Sequence, residues 1–161
     1  MKKIFFVGIF FVVLVFGVSA LAGGKGEVKY PEGYRDWTHI KSMVIEEGHP
    51  LYEAFGGLHH IYANKKARKA MKKGGPYPRG SVIVFDLLTA VKGDNSVTEG
   101  PRKVVGVMEK NTKKFAATGG WGFEGFKGDS RERVVKDPVN GCFKCHEPQK
   151  KSGYVFSTYR K

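Results

Sequence analysis

The sequence predicts a mainly β domain, α+β at the margin: one antiparallel sheet with a few short helices. Three observations carry this. Residues 58–64 and 81–91 ("LHHIYAN", "SVIVFDLLTAV") are short runs rich in β-branched and aromatic residues, and 102–111 ("RKVVGVMEKN") alternates in part. Only "KKARKAMKK" has the composition of a sustained helix. The connections are short and glycine-rich, and no strand–helix–strand rhythm appears.

The elements follow in order. Residues 1–22 read as a signal peptide: Lys2 and Lys3 precede an apolar run, and Ala20 and Ala22 give the small-x-small pattern before a cleavage point near Ala22. That predicts a periplasmic or otherwise exported protein. Residues 23–33, rich in glycine and charge, read as a flexible lead-in, and 34–161 as one domain. "HIKSMVIE" favours a strand, and "GHP" a turn. "LYEAFGG" reads as a short helical turn stopped by glycines, and "LHHIYAN" as a strand. Asn64 is placed to cap the lysine-rich helix and Gly74 to end it. "PYPRG" is a turn, 81–91 an internal strand, "KGDNSVTEGP" a loop, and 102–111 the next strand. "TGGWGFEGF" then mixes glycines, which allow sharp turns or close approach, with rigid apolar rings.

The chain of 161 residues carries a formal charge of +13. That balance favours acidic partners, and it suits either a membrane surface or an anionic partner in electron transfer. Nucleic acid is not expected, because the basic residues are scattered and no recognition element is present.

The only two cysteines lie in "CFKCH", Cys142 to His146. This spacing lets two thiols add to the two vinyl groups of one haem while the next histidine binds iron. A redox dithiol lacks the strand–helix setting it needs. A disulfide across two residues would close too small a loop to stabilise much, and a zinc site would need a fourth ligand from elsewhere. One motif means one covalently bound haem c, with Cys142 and Cys145 as attachment points and His146 as axial ligand.

No methionine follows Met108, so the other side of the iron must be built by earlier chain. Candidate sixth ligands are His39, His49, His59, His60, Met43, Met71 and Met108. His59 and His60, if on a strand, point to opposite faces. The alternative is an open iron shielded by rings, with Phe55, Phe85, Trp121, Phe123 and Phe126 available. An open iron binds small molecules and a closed one passes electrons.

The segments "YRDW", "GGLHHIYAN", "YPRGSVIVFD", "GGWGFEGF" and "CFKCH" resemble the cytochrome P-460 family, which includes the β-type cytochromes c-prime, over about Tyr34 to Tyr159. The resemblance implies a homodimer with a five-coordinate haem c held by His146. It implies either nitric oxide binding under a cap of apolar rings, or hydroxylamine oxidation with a lysine–haem bond and a distal carboxylate. Residues 81–91 hold no lysine for that bond; Lys69, Lys72 and Lys73 lie just before them. Glu124 is the candidate catalytic carboxylate if the protein is an enzyme. Arg79, with Arg35 and Arg131, is a candidate for a positive group near the ligand. The reading that results is a monohaem cytochrome binding nitric oxide or a related nitrogen ligand and exchanging electrons with a redox partner. The alternatives are a hydroxylamine oxidoreductase and a six-coordinate electron carrier.

Overall fold

The computed structural model describes residues 27–160. The signal-peptide reading of 1–22 and the first four residues of the lead-in lie outside the described residues. Five strands form one antiparallel meander in chain order: β1 (Thr38–Ile45), β2 (Gly57–Ala63), β3 (Val82–Gly93), β4 (Ser96–Lys110) and β5 (Trp121–Lys127). Every strand pairs with its neighbour in sequence, so short connections suffice. Among the described residues no helix is long and apolar enough to cross a membrane.

Both faces of the sheet are covered, which is why β3 is apolar on both sides rather than alternating. One face, called here the site face, carries Ile61, Ala63, Ile83, Trp121 and Phe123. It packs against Ala67, Ala70 and Met71 of α2 (Lys65–Lys72) and against Phe143 and Val155 of the C-terminal segment. The far face carries Val84, Val105, Val107 and Phe126, and packs against Val28 and Tyr34. Helix α2 begins as its composition predicts: the Asn64 side chain accepts from the Ala67 amide at 2.9 Å and donates to the Gly80 carbonyl at 2.9 Å. Gly74, just past its end, has φ 74°. Helix α1 is a single turn, Tyr52–Phe55.

Two expectations are corrected. Residues 28–33 are not a loose lead-in. Val28 is buried, the Tyr30 ring meets Phe126 edge-on at 5.1 Å, and Arg133 donates to the Val28 carbonyl at 2.9 Å. Glycine and charge hid one valine and one tyrosine that close the far face. Residues 92–101 are not a loop either. β3 and β4 continue as a long hairpin to the Gly93–Ser96 pair, and Asn95 at the tip takes φ 53°. The polar residues there face solvent on both sides of a two-stranded ribbon, so no apolar period marks it.

Asp86 is fully buried on the far face and accepts from Arg102 Nε at 2.7 Å, with Arg35 Nε at 3.5 Å. Burial and the adjacent Asp86 carboxylate raise the Tyr34 phenol above its ordinary range.

Candidate haem-attachment site

Residues 139–152 form a helical stretch of three kinds, kinked at Gln149. A π-helical turn, Val139–Phe143, runs into α3 (Lys144–His146) and then a 3-10 helix, Glu147–Ser152. Asp137 starts it, accepting from the Val139 and Asn140 amides at 3.0 Å each. Cys142, Cys145 and His146 stand three and four residues apart on this stretch, so they share one side of it. The Phe143 ring, buried in the site-face core, fixes which side that is. Both thiols are free; Cys145 is exposed and Cys142 half-buried. Burial, then the Glu124 and Asp137 carboxylates, pushes the Cys142 thiol up.

His146 is held in one orientation. Its Nδ1–H donates to the Tyr154 carbonyl at 2.9 Å, which leaves the Nε2 lone pair uncommitted. Burial lowers its pKa, so the ring stays neutral and able to ligate. Phe123 and Phe156 pack on it at 5.0 and 4.9 Å between ring centroids.

The acceptor for His146 depends on unusual backbone. Gly153 has φ 72° and Tyr154 has φ 68°, a left-handed conformation costly for a residue with a side chain. The "GGW" segment holds it there. Trp121 Nε1 donates to the Gly153 carbonyl at 2.8 Å, and Tyr77 packs on Trp121 at 5.2 Å. Gly119 leaves the space that the Tyr154 ring fills; a Cβ there would stand 2.6 Å from that ring. Lys110 Nζ donates to the Gly119 carbonyl at 2.8 Å and lies over the Trp121 and Tyr154 rings. Burial lowers its pKa. Tyr77, Lys110, Gly119, Gly153 and Tyr154 were not singled out from sequence. The only available signal was the pairing of "GGW" with the residues just after "CFKCH".

Strand register orders the rest of the site face. Ala63, Ile83, Met108 and Phe123 form one row. Ile61, Phe85, Gly106 and Gly125 form the next, and His59, Leu87, Val104 and Lys127 the third. Within its row, Phe123 is the residue that packs on His146. Beyond it two glycines stand directly opposite each other with neighbouring side chains close beside both: a Cβ on Gly106 would meet Phe85 at 3.3 Å, and one on Gly125 would meet Val134 at 2.8 Å. Phe85, in the same row, packs edge-on against Phe55 at 5.9 Å, and Phe55 is 38% exposed. Two free thiols and an oriented imidazole with an uncommitted Nε2 fit a covalently held haem c.

Other predicted residues lie elsewhere. Phe126 is buried on the far face, so it cannot line a pocket with Phe85. Glu124 projects from β5 opposite Phe123. Its carboxylate accepts from Arg133 at 2.6 Å and from the Gly125 and Val135 amides at 2.9 and 3.3 Å. A cavity of about 220 Å³ beside it is lined by Trp121, Phe123, Val135 and Pro138. Arg79 lies exposed in the turn before β3, near Lys66. Arg35 pairs with Glu99, and Arg131 with Glu32.

Of the histidines, His39 and His60 are joined through Ser42, and His60 also meets Glu99 at 2.7 Å. His49 accepts from the Leu51 amide. His59 alone lies buried on the site face, its Nε2–H donating to the Phe55 carbonyl at 2.5 Å and its Nδ1 unpartnered. Burial depresses its pKa. Met43 stands opposite His59, Met71 is buried on α2, and Met108 is in the Phe123 row.

A comparison with curated proteins gave no match. The family model described as Cytochrome P460 matches residues 31–157, from the segment that closes the far face through the strap that orients His146. The chain belongs to the cytochrome P460 family, a family of c-type haem proteins.

Proposed function

We propose that the protein is an exported monohaem cytochrome. Cys142 and Cys145 attach the haem, His146 is its one protein ligand, and the open side takes nitric oxide or a related small nitrogen compound. When bound, the haem supplies an iron centre able to bind such a ligand and to change oxidation state. The chain supplies the rest. Tyr154 fixes the imidazole, Phe123 and Phe156 pack on it, and Phe85, with Phe55 against it, offers apolar rings in the next row of the site face. The observation that carries this reading is the His146 Nδ1–H bond to Tyr154, which leaves the Nε2 lone pair available to a metal. Ligand binding is favoured over hydroxylamine oxidation because the carboxylate of Glu124, the candidate proton acceptor, already accepts from Arg133 and two amides.

Intact-protein mass spectrometry of the exported chain tests it. The expected mass is the chain plus one haem, lost in Cys142→Ala/Cys145→Ala. A disulfide-linked chain without haem contradicts the reading. Hydroxylamine turnover, with a lysine-containing peptide bound to haem, would favour the enzyme instead.

A further inference from the structure

The charge of this protein is not spread over it. Residues 65–79, α2 and the turn after it, hold seven cations and no acid; residues 144–160 hold four cations and one acid, Glu147. All other described residues together hold thirteen cations and fourteen acids. The whole positive excess of the described chain therefore sits on two segments. They are neighbours in space: Met71, Phe143 and Val155 share one core, Lys72 Nζ lies 4.6 Å from the centre of the Tyr159 ring, and Tyr77 packs on Gly153. Every salt bridge among the described residues lies outside both segments.

We propose that this face, α2 with the segment around Cys145, docks an acidic redox protein. The remainder of the described residues is balanced in charge and partly paired internally, so it offers no net attraction. The unpaired face would orient an acidic partner toward the attachment segment, whose Lys144 lies between the two cysteines. A protein fits better than an anionic membrane, because the apolar residues of α2 are spent on the core: Ala67, Ala70 and Met71 are buried, which leaves no apolar stripe to enter lipid. The inference rests on the electron-exchange part of the proposed function and gives it a partner class and an address.

The test uses the full exported chain and, as probe, an acidic [2Fe–2S] ferredoxin, with binding followed by calorimetry. Lys69→Glu/Lys73→Glu/Lys150→Glu reverses the face. Lys29→Glu/Lys127→Glu/Lys136→Glu makes the same charge change elsewhere. The face variant is expected to lose about tenfold or more in affinity and the control less than about threefold. Wild-type affinity is expected to fall when ionic strength rises from about 10 to about 150 mM, which shortens the screening length from about 30 to about 8 Å. Equal losses in the two variants, or no ferredoxin binding by wild type, overturn the proposal. So does binding to phosphatidylglycerol vesicles in place of ferredoxin. If the face variant does not fold by circular dichroism, Lys→Gln at the same positions replaces it, with a smaller loss of the same sign expected. Haem content is measured on each sample, so failure of haem attachment is told apart from failure of docking.

Discussion

Gly119→Ala perturbs the contact between the "GGW" turn and the strap behind His146. Gly119 has φ 61° and ψ 20°. An alanine there pays roughly 1–2 kcal/mol for the left-handed conformation. Its Cβ would also stand 2.6 Å from Cε2 and Cζ of Tyr154, so the ring must move by about 1 Å, at roughly 1–3 kcal/mol for overpacking. The sum is about 2–5 kcal/mol, a fall in midpoint on the order of 10 °C for a domain of this size. Urea denaturation read by tryptophan fluorescence measures the first quantity. The second readout is particular to the proposed role: moving Tyr154 lengthens the His146 Nδ1–H bond, which lowers the basicity of Nε2. In the haem-loaded protein the iron–histidine stretching frequency should drop. Gly141→Ala, where the added carbon meets nothing within 4 Å, is the control. A loss below about 1 kcal/mol with an unchanged stretch would refute the reasoning.

Three further outcomes follow from the same geometry. Asn64→Ala removes the cap of α2 and the bond to the Gly80 carbonyl, and should cost about 1–2 kcal/mol by thermal melt. Arg102→Ala leaves Asp86 buried without its closest cation, and should cost about 3–5 kcal/mol in urea, with Asp86→Asn/Arg102→Leu recovering part of it. The folded pKa values of His59 and His146 lie below the ordinary 6.5, so the unfolded chain binds more protons as pH falls through that value. Stability should be level above about pH 7 and decline below about 6.5. With His146 bound to iron, the dependence should come from His59 and be flattened in His59→Leu; a slope unchanged by that substitution contradicts it.

The sheet was legible because apolar and β-branched residues concentrate in 58–64, 81–91 and 102–111, and the α2 cap because Asn64 precedes a run of strong helix formers. The hairpin tip was not, since a solvated two-stranded ribbon has no apolar period. At the site, spacing alone brought out Cys142, Cys145 and His146, because that chemistry is local in the chain. What orients His146 was hidden, because it depends on long-range contacts. Trp121 reaches Gly153 across more than thirty residues, and Tyr154 is aimed by a φ value that no residue type announces. Facing was the other blind spot. Phe123, Glu124 and Phe126 belong to one glycine–aromatic run, yet only Phe123 meets His146. The two-residue period separates neighbours once the strand is known, and glycines had obscured the strand.

The central claim is that His146 is the one protein ligand of a covalent haem whose other side is open. The electronic absorption spectrum of the purified exported protein, reduced and free of added ligand, tests it most directly. A five-coordinate high-spin ferrous spectrum that changes on adding nitric oxide is the predicted result. A six-coordinate low-spin spectrum that reverts to high spin in His59→Ala would contradict it.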